Sequence, residues 1–232
     1  MPPHHEGGLI MGALDGIMDL YRVRFDPAEK AAKDKLWKIL CGYLQRWFPA
    51  DGVVLDVGAG YCEFINHIKA VRKIAVDMNP DTIACAAPDV KVVNAPVVPL
   101  PFLDTGSIDA AFLSNLLEHL ADKAQVMDLL REIHRVLRVG GRIVILMPNI
   151  RYAYREYWDF FDHQVPLTEK AVVEACLMAG FEPIKVIPAF LPYTTKSRLP
   201  QWGFLVHLYL AVPFLWRFFG KQALVVAEKR AR

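Results

Sequence analysis

Uninterrupted runs of aliphatic residues alternate along the chain with stretches in which apolar side chains recur every three or four positions. Val53-Val-Leu-Asp-Val, Lys73–Val76, Val90–Val93, Ile108–Leu113 and Arg142–Met147 read as short strands covered on both faces, as in a parallel sheet. Between them, helical spacing predicts a helix from Asp26-Pro27 through Leu36, Ile39, Leu40, Tyr43, Leu44 and Trp47, ending near Phe48-Pro49. Phe64, Ile65 and Ile68 continue a helix after the first strand, and Asp81–Ala87 reads as a short one. Lys123–Val139 carries Val126, Leu129, Leu130, Ile133, Val136 and Leu137 on one face, with Gly140-Gly141 as its stop. Leu167–Ala179 is a further helix, closed at Gly180 and followed by strands Glu182–Ile187 and Ala223–Glu228. Strand, helix, strand in repetition predicts a doubly wound, Rossmann-like α/β fold, mostly parallel, with helices on both faces. Ligands of such sheets sit beyond the carboxyl ends of the strands, so Gly58, Asp77, Asn94, Ser114 and Pro148 are expected to line one crevice.

Composition narrows this picture little. The chain has 232 residues, enough for one large α/β domain, and 54% hydrophobic residues with mean hydropathy +0.23 predict a large core or an apolar surface. A net charge of +2 supplies no strong basic field, and no nucleic-acid partner is expected from it. Cys41, Cys62, Cys85 and Cys176 form no Cys-x-x-Cys pair, so neither a zinc site nor a disulfide framework is expected, and no metal ligand set is evident. The start, Met-Pro-Pro-His-His-Glu-Gly-Gly, is not a secretory signal, which predicts a cytoplasmic setting; His4 and His5 read as part of an exposed arm.

The turn after the first strand, Gly58-Ala59-Gly60-Tyr61-Cys62-Glu63, lets backbone approach a ligand closely. An acid stands where a dinucleotide fold has its last glycine, beside the place of the pyrophosphate, which argues against NAD or FAD. A phosphate-binding Gly-Lys-Ser/Thr is absent as well. Asp56 before the turn and Asp77 at the end of the second strand suit a ligand with an amino group and a ribose diol, since carboxylates accept hydrogen bonds from both.

Val53–Phe64 resembles the first motif of the class I S-adenosylmethionine-dependent methyltransferases, an acid followed by Gly-x-Gly-x-Gly, with Cys62 where a third glycine is common. That substitution fits a backbone kept at negative φ. The resemblance runs from about Leu36 to Pro148 and implies a cofactor site. Asp77 is similar to the ribose-binding acid, Met78 to the apolar residue packed on adenine, and Asn94-Ala95 to the pair that meets the adenine amino group. Gly58, Ala59, Gly60 and Tyr61 form the turn, while Ser114, Asn115 and His119 lie in the segment that floors the methionine end. Asp56 is expected either to hold the turn together or to meet the ligand. The family's sheet has seven strands in a three-layer α/β/α arrangement with an antiparallel last strand, here Ala223–Glu228. Residues 1–50 are expected to form an arm and helix covering the pocket, and 51–232 the methyltransferase domain with an apolar insertion at 189–221.

The resemblance implies methyl transfer from S-adenosylmethionine, in which the protein mainly aligns a nucleophile with the methyl group and excludes water. His163, in the aromatic stretch Tyr157–His163, and His119 are the candidate bases; His134 falls within a helical pattern and is expected to be structural. Ser114-Asn115-Leu116-Leu117 does not match the Asn-Pro-Pro-Tyr of adenine amino methyltransferases, which points to a small-molecule acceptor. The run Trp202–Phe219 is apolar but broken by His207, Pro213 and Arg217. A membrane span there would carry the last strand away from its sheet, which leaves a lid, a homodimer surface or a peripheral membrane contact. The expected acceptor is therefore apolar, phenolic or lipid-linked, methylated on oxygen, with Lys196 and Arg198 available to a phosphate or carboxylate. A catalytically silent binding or scaffold protein of the same fold and, less favoured, an NAD-linked oxidoreductase are the competing readings.

Overall fold

The computed structural model describes residues 27–193 and 203–231. Its helices are α1 (Pro27–Leu44), α2 (Asp81–Cys85), α3 (Lys123–Val136), α4 (Ile150–Ala153), α5 (Glu169–Met178), α6 (Gly203–Ala211) and α7 (Pro213–Phe219). The strands are β1 (Val53–Val57), β2 (Arg72–Asp77), β3 (Val90–Asn94), β4 (Ile108–Ser114), β5 (Leu137–Pro148), β6 (Phe181–Leu191) and β7 (Gln222–Lys229). They form one seven-stranded sheet in the order β3-β2-β1-β4-β5-β7-β6. Only β7 runs against the others, pairing antiparallel with both β5 and β6. The expected architecture, including the antiparallel last strand, is thus the observed one.

Alternation along each strand divides the core between the two faces of the sheet. Leu55, Val57, Ile74, Val76, Leu113, Ile145 and Val225 point to the side covered by Leu129, Leu130 and Ile133 of α3 and by Val172 and Cys176 of α5. Val54, Ala75, Phe112, Val144, Leu146, Leu224 and Val226 face the opposite layer, where Leu40 and Leu44 of α1, Phe64, Ile65 and Ile68, Leu210 of α6 and Trp216 of α7 close the core. Burial on both faces is what made these strands read as unbroken apolar runs.

Two elements depart from the sequence pattern. Phe64–Ile68 is not a regular helix but a set of turns, although helical bonds survive from Asn66 N to Cys62 O at 3.1 Å and from Ile68 N to Phe64 O at 3.0 Å. The Gln45 side chain ends it early, accepting from Lys69 N at 2.9 Å and donating to Lys69 O at 3.0 Å. Helix α3 stops at Val136, three residues before the pattern does, because Leu137 already pairs with Ile108 in the sheet. Gly140-Gly141 therefore serves an irregularity in β5 rather than a helix cap. A Cβ on Gly141 would lie 2.8 Å from Arg138 O and 3.1 Å from Asp109 O, so only glycine fits there. Asp109 ties this corner together by accepting from Val53 N at 2.7 Å and pairing with Arg138.

The apolar insertion folds as two short helices, α6 and α7, separated at Val212-Pro213. Tyr209 Oη donates to Phe190 O at 2.7 Å, and Trp216 Nε1 donates to Tyr209 O at 2.8 Å, so the pair is fastened to β6 and to itself. The Tyr43 ring of α1 completes the joint against Phe190 and Trp216. Among the described residues no helix is long and apolar enough to cross a membrane. The N-terminal arm with His4 and His5, and Lys196, Arg198 and Trp202, lie outside the described residues.

Candidate functional site

Parallel pairing brings the strand ends into one line. Val57 pairs with Val76 and with Leu113, Asp77 with Asn94, and Ser114 with Leu146, so Gly58, Asp77, Asn94, Ser114 and Pro148 share the carboxyl edge of the sheet. The insertion also belongs to this edge. It leaves after Leu191 and returns at Gln222, which pairs with both Leu191 and Pro148.

The glycine turn is sewn to β2. Gly58 N and Ala59 N donate to Val76 O at 2.9 and 3.3 Å, and Gly60 N donates to Asp77 Oδ2 at 2.7 Å. Thr82 Oγ1 donates to Gly60 O at 2.7 Å from the start of α2. The N–H groups of Gly58, Ala59 and Gly60 are thus engaged within the protein, and what these residues offer a ligand is close approach of bare backbone. Gly58 has φ of +73°, and a Cβ there would meet Leu116 Cδ1 at 2.9 Å, so a side chain at this position would be strained. At Gly60 a Cβ would meet nothing within 4 Å.

Cys62 corrects an expectation. Its φ is +63°, not negative, so a cysteine occupies the left-handed conformation that a third glycine would take without strain. Full burial of its side chain and bonds from Cys62 N to Ala59 O at 2.8 Å and from Asn66 N to Cys62 O at 3.1 Å hold it there.

Asp56 is buried, and its carboxyl is pushed well above the usual carboxylate range by burial first and then by the charges of Glu63 and Asp77; a bond from the Ile65 backbone works the other way. Asp77 is half-buried. It accepts from Gly60 N through Oδ2 and from Asn79 N through Oδ1 at 2.8 Å, and each carboxylate oxygen retains a further lone pair for a hydroxyl. Asn94 donates its amide to Asp77 O at 2.9 Å, which fixes the side chain and leaves its carbonyl oxygen as the acceptor end. Ala95 N donates to the same carbonyl at 3.1 Å. Met78 is 50% exposed, and Tyr61, Ala95 and Ser114 are half-buried beside the crevice edge. Asn115 is exposed at φ of +47°, its N bonded to Leu146 O at 2.9 Å and its amide lying 3.3 Å from Ser114 Oγ.

His119 and His163, far apart in sequence, meet with ring centroids 4.9 Å apart. The segment Tyr157–Val165 folds back on the turn after β4, where Gln164 N and Val165 N donate to Glu118 O at 2.7 and 3.2 Å. His119 Nδ1 lies 3.2 Å from Asp162 O and 3.3 Å from Asp162 Oδ2. Burial draws His119 toward its neutral form, but the Asp162 bond and the charges of Glu118 and Asp162 outweigh it and raise its pKa. His163 is buried, its Nδ1 2.9 Å from Tyr157 O, stacked on Phe160 and within 3.5 Å of Tyr193 Oη. Glu118 is 3% exposed and its carboxyl is pushed up to about 7 by burial, against the lowering effect of His119.

Glu118, Tyr157, Asp162 and Tyr193 were not singled out as site residues by the sequence. Nothing local in the sequence tells that the loop after β5 returns to the end of β4.

A protein-family profile described as a methyltransferase domain matches residues 55–145, from β1 into β5. The human eEF1A lysine and N-terminal methyltransferase is 26% identical over 185 residues, covering 68% of this chain and 25% of that protein. The chain spans between a quarter and about half of the length of the curated relatives it matches. A SAM-dependent methyltransferase from Archaeoglobus fulgidus superimposes with a TM-score of 0.62 at 20% identity, covering 83% of this chain and 94% of that one. A geranyl diphosphate methyltransferase in complex with SAM does so with a TM-score of 0.59 at 15% identity, covering 83% and 85%. These two likenesses concern the fold. Strand order, glycine turn and family profile agree on a methyltransferase domain at residues 55–145, set in a sheet with the fold of S-adenosylmethionine-dependent methyltransferases.

Proposed function

We propose that this chain transfers the methyl group of S-adenosylmethionine to an oxygen of a small apolar, phenolic or lipid-linked acceptor. The observation that carries the acceptor class is the α6–α7 insertion. Phe204, Leu205, Leu208, Phe214, Phe218 and Phe219 stand exposed on it, although it starts and ends on the edge where the crevice opens. Between Glu182 and Glu228 the chain has no acidic residue and five basic ones, Lys185, Lys196, Arg198, Arg217 and Lys221. An exposed apolar surface in a segment whose sequence carries basic and no acidic residues suits an acceptor presented from an anionic lipid surface, or one with an apolar body and a phosphate or carboxylate head.

The cofactor supplies the electrophilic methyl group on sulfur when bound. Asp77 would hold the ribose hydroxyls, the Asn94 carbonyl oxygen and Ala95 would meet the adenine edge, and Met78 would pack on its ring. Asp56, through Ile65, and Tyr61 shape the glycine turn. Gly58, Ala59 and Gly60 bring the backbone close to the cofactor, and Ser114, Asn115 and His119 line the methionine end. His163, with His119 beside it, faces the acceptor's departing proton.

Methyl transfer from labelled S-adenosylmethionine to phenols, prenyl phosphates and vesicle lipids, with a protein set in parallel, tests this. The expected result is turnover on an apolar small molecule that falls when Phe214→Ser and Phe218→Ser are combined. Failure to bind the cofactor would sink the enzyme reading, and binding without turnover on any class would favour the scaffold reading. Methylation of proteins alone would replace the acceptor class with the one in the human relative's name.

A further inference from the structure

We propose that Glu118, His119 and His163 form a binding site for a divalent first-row transition-metal ion at the carboxyl edge of the sheet. The three side chains each offer a ligand atom, and these atoms lie within 4.8 Å of one another. In a closed site with metal–ligand bonds of about 2.1 Å the separation is about 3.3 Å, so side-chain rotation of about an ångström assembles it.

Three further features belong to a metal site. Glu118 is 3% exposed, yet its Oε2 has no hydrogen-bond partner, an expensive state for a carboxylate that an ion would relieve. Each imidazole is held through Nδ1 by an oxygen, His163 by Tyr157 O and His119 by Asp162. With Nδ1 as the donor, Nε2 of each ring carries the lone pair, the outer-shell arrangement of metal-bound histidines, and Tyr193 Oη lies 3.5 Å from Nε2 of His163. Finally, the Glu118 backbone is locked by Gln164 N and Val165 N, which fixes the two chain segments relative to each other before any ion arrives.

Two histidines and one carboxylate leave positions open for exogenous ligands and suit Zn²⁺, Fe²⁺ or Mn²⁺ better than Ca²⁺ or Mg²⁺. The site's existence is independent of the methyl-transfer reading, but its consequence rests on it. With the ion bound, His119 and His163 would serve as its ligands in place of the base role, and an acceptor hydroxyl on the ion would release its proton to solvent. Its oxygen then forms the new bond to the methyl carbon while the carbon–sulfur bond breaks and its electron pair stays on sulfur.

The test is titration of the metal-free full chain with Zn²⁺ by calorimetry and with Co²⁺ by visible absorption, on a His4→Ala/His5→Ala background that removes the other adjacent histidines. One ion per chain is expected, with a tetrahedral or five-coordinate Co²⁺ band. His119→Ala and His163→Ala should each weaken Zn²⁺ binding by at least a hundredfold. The isosteric Glu118→Gln should weaken it by at least tenfold while leaving the circular dichroism and cofactor affinity unchanged. Asp162→Asn, acting through His119, should weaken it by about 10–100-fold. Absence of stoichiometric binding, or binding that survives His119→Ala/His163→Ala in a folded chain, would overturn the site. Metal binding without methyl transfer would leave the site standing and count against its catalytic use.

Discussion

Replacing Asp77 with alanine separates what this carboxylate does for the fold from what it does for the cofactor. In the protein alone it accepts from Gly60 N at 2.7 Å and Asn79 N at 2.8 Å, and both bonds vanish in the variant. Because Asp77 is half-buried, water can reach the abandoned N–H groups, and the two losses together cost about 1–2 kcal/mol. For a chain of this size that lowers the melting temperature by roughly 2–8 °C without cofactor. Bonds from two ribose hydroxyls to a charged acceptor add a second loss of about 1–3 kcal/mol, or roughly 5–150-fold in affinity. Calorimetric titration with S-adenosylmethionine and S-adenosylhomocysteine measures this loss, and thermal unfolding without ligand measures the first. Asp77→Asn should fall between wild type and alanine in both, since its single carbonyl keeps one acceptor. A lowered melting temperature with unchanged affinity would refute the ribose assignment and leave Asp77 as a structural tie between β2 and the turn.

Two further outcomes follow from contacts away from the crevice. Gly220→Ala places a Cβ 2.3 Å from Ala189 O and 2.6 Å from Trp216 O, both backbone atoms with no room to give, and should cost about 1–3 kcal/mol in urea unfolding. Burial disfavours the charged form of Asp109, but the Val53 N–H and the Arg138 guanidinium outweigh it and hold its carboxyl below the usual carboxylate range. A depressed folded pKa stabilises above the unfolded value, near pH 4, and that contribution fades as pH falls through the folded one. Asp109→Asn should therefore unfold at lower urea than wild type at neutral pH, with the gap closing in acid.

Much of this protein was legible in the order of its residues because the relevant forces are local or periodic. Burial on both faces of a parallel sheet demands unbroken apolar strands, and Val53–Val57, Ile108–Ser114 and the core of β5 declare themselves that way. The place of Asp77 in the crevice was equally readable, because a parallel unit must put the end of each strand on the same edge. The sequence also singled out His119 and His163. Tertiary structure decided what depends on segments meeting from a distance. Local preference disfavours a cysteine at positive φ, yet packing of the turn against β2 and α2 imposes it on Cys62. Helical spacing continues to Val139, but pairing of Leu137 with Ile108 ends α3 earlier and hands the two glycines to the sheet. The meeting of His119 with His163, and of both with the buried Glu118, depends on the loop after β5 returning to the end of β4. No spacing in the chain encodes that return, because it follows from where the sheet sets down two strand ends.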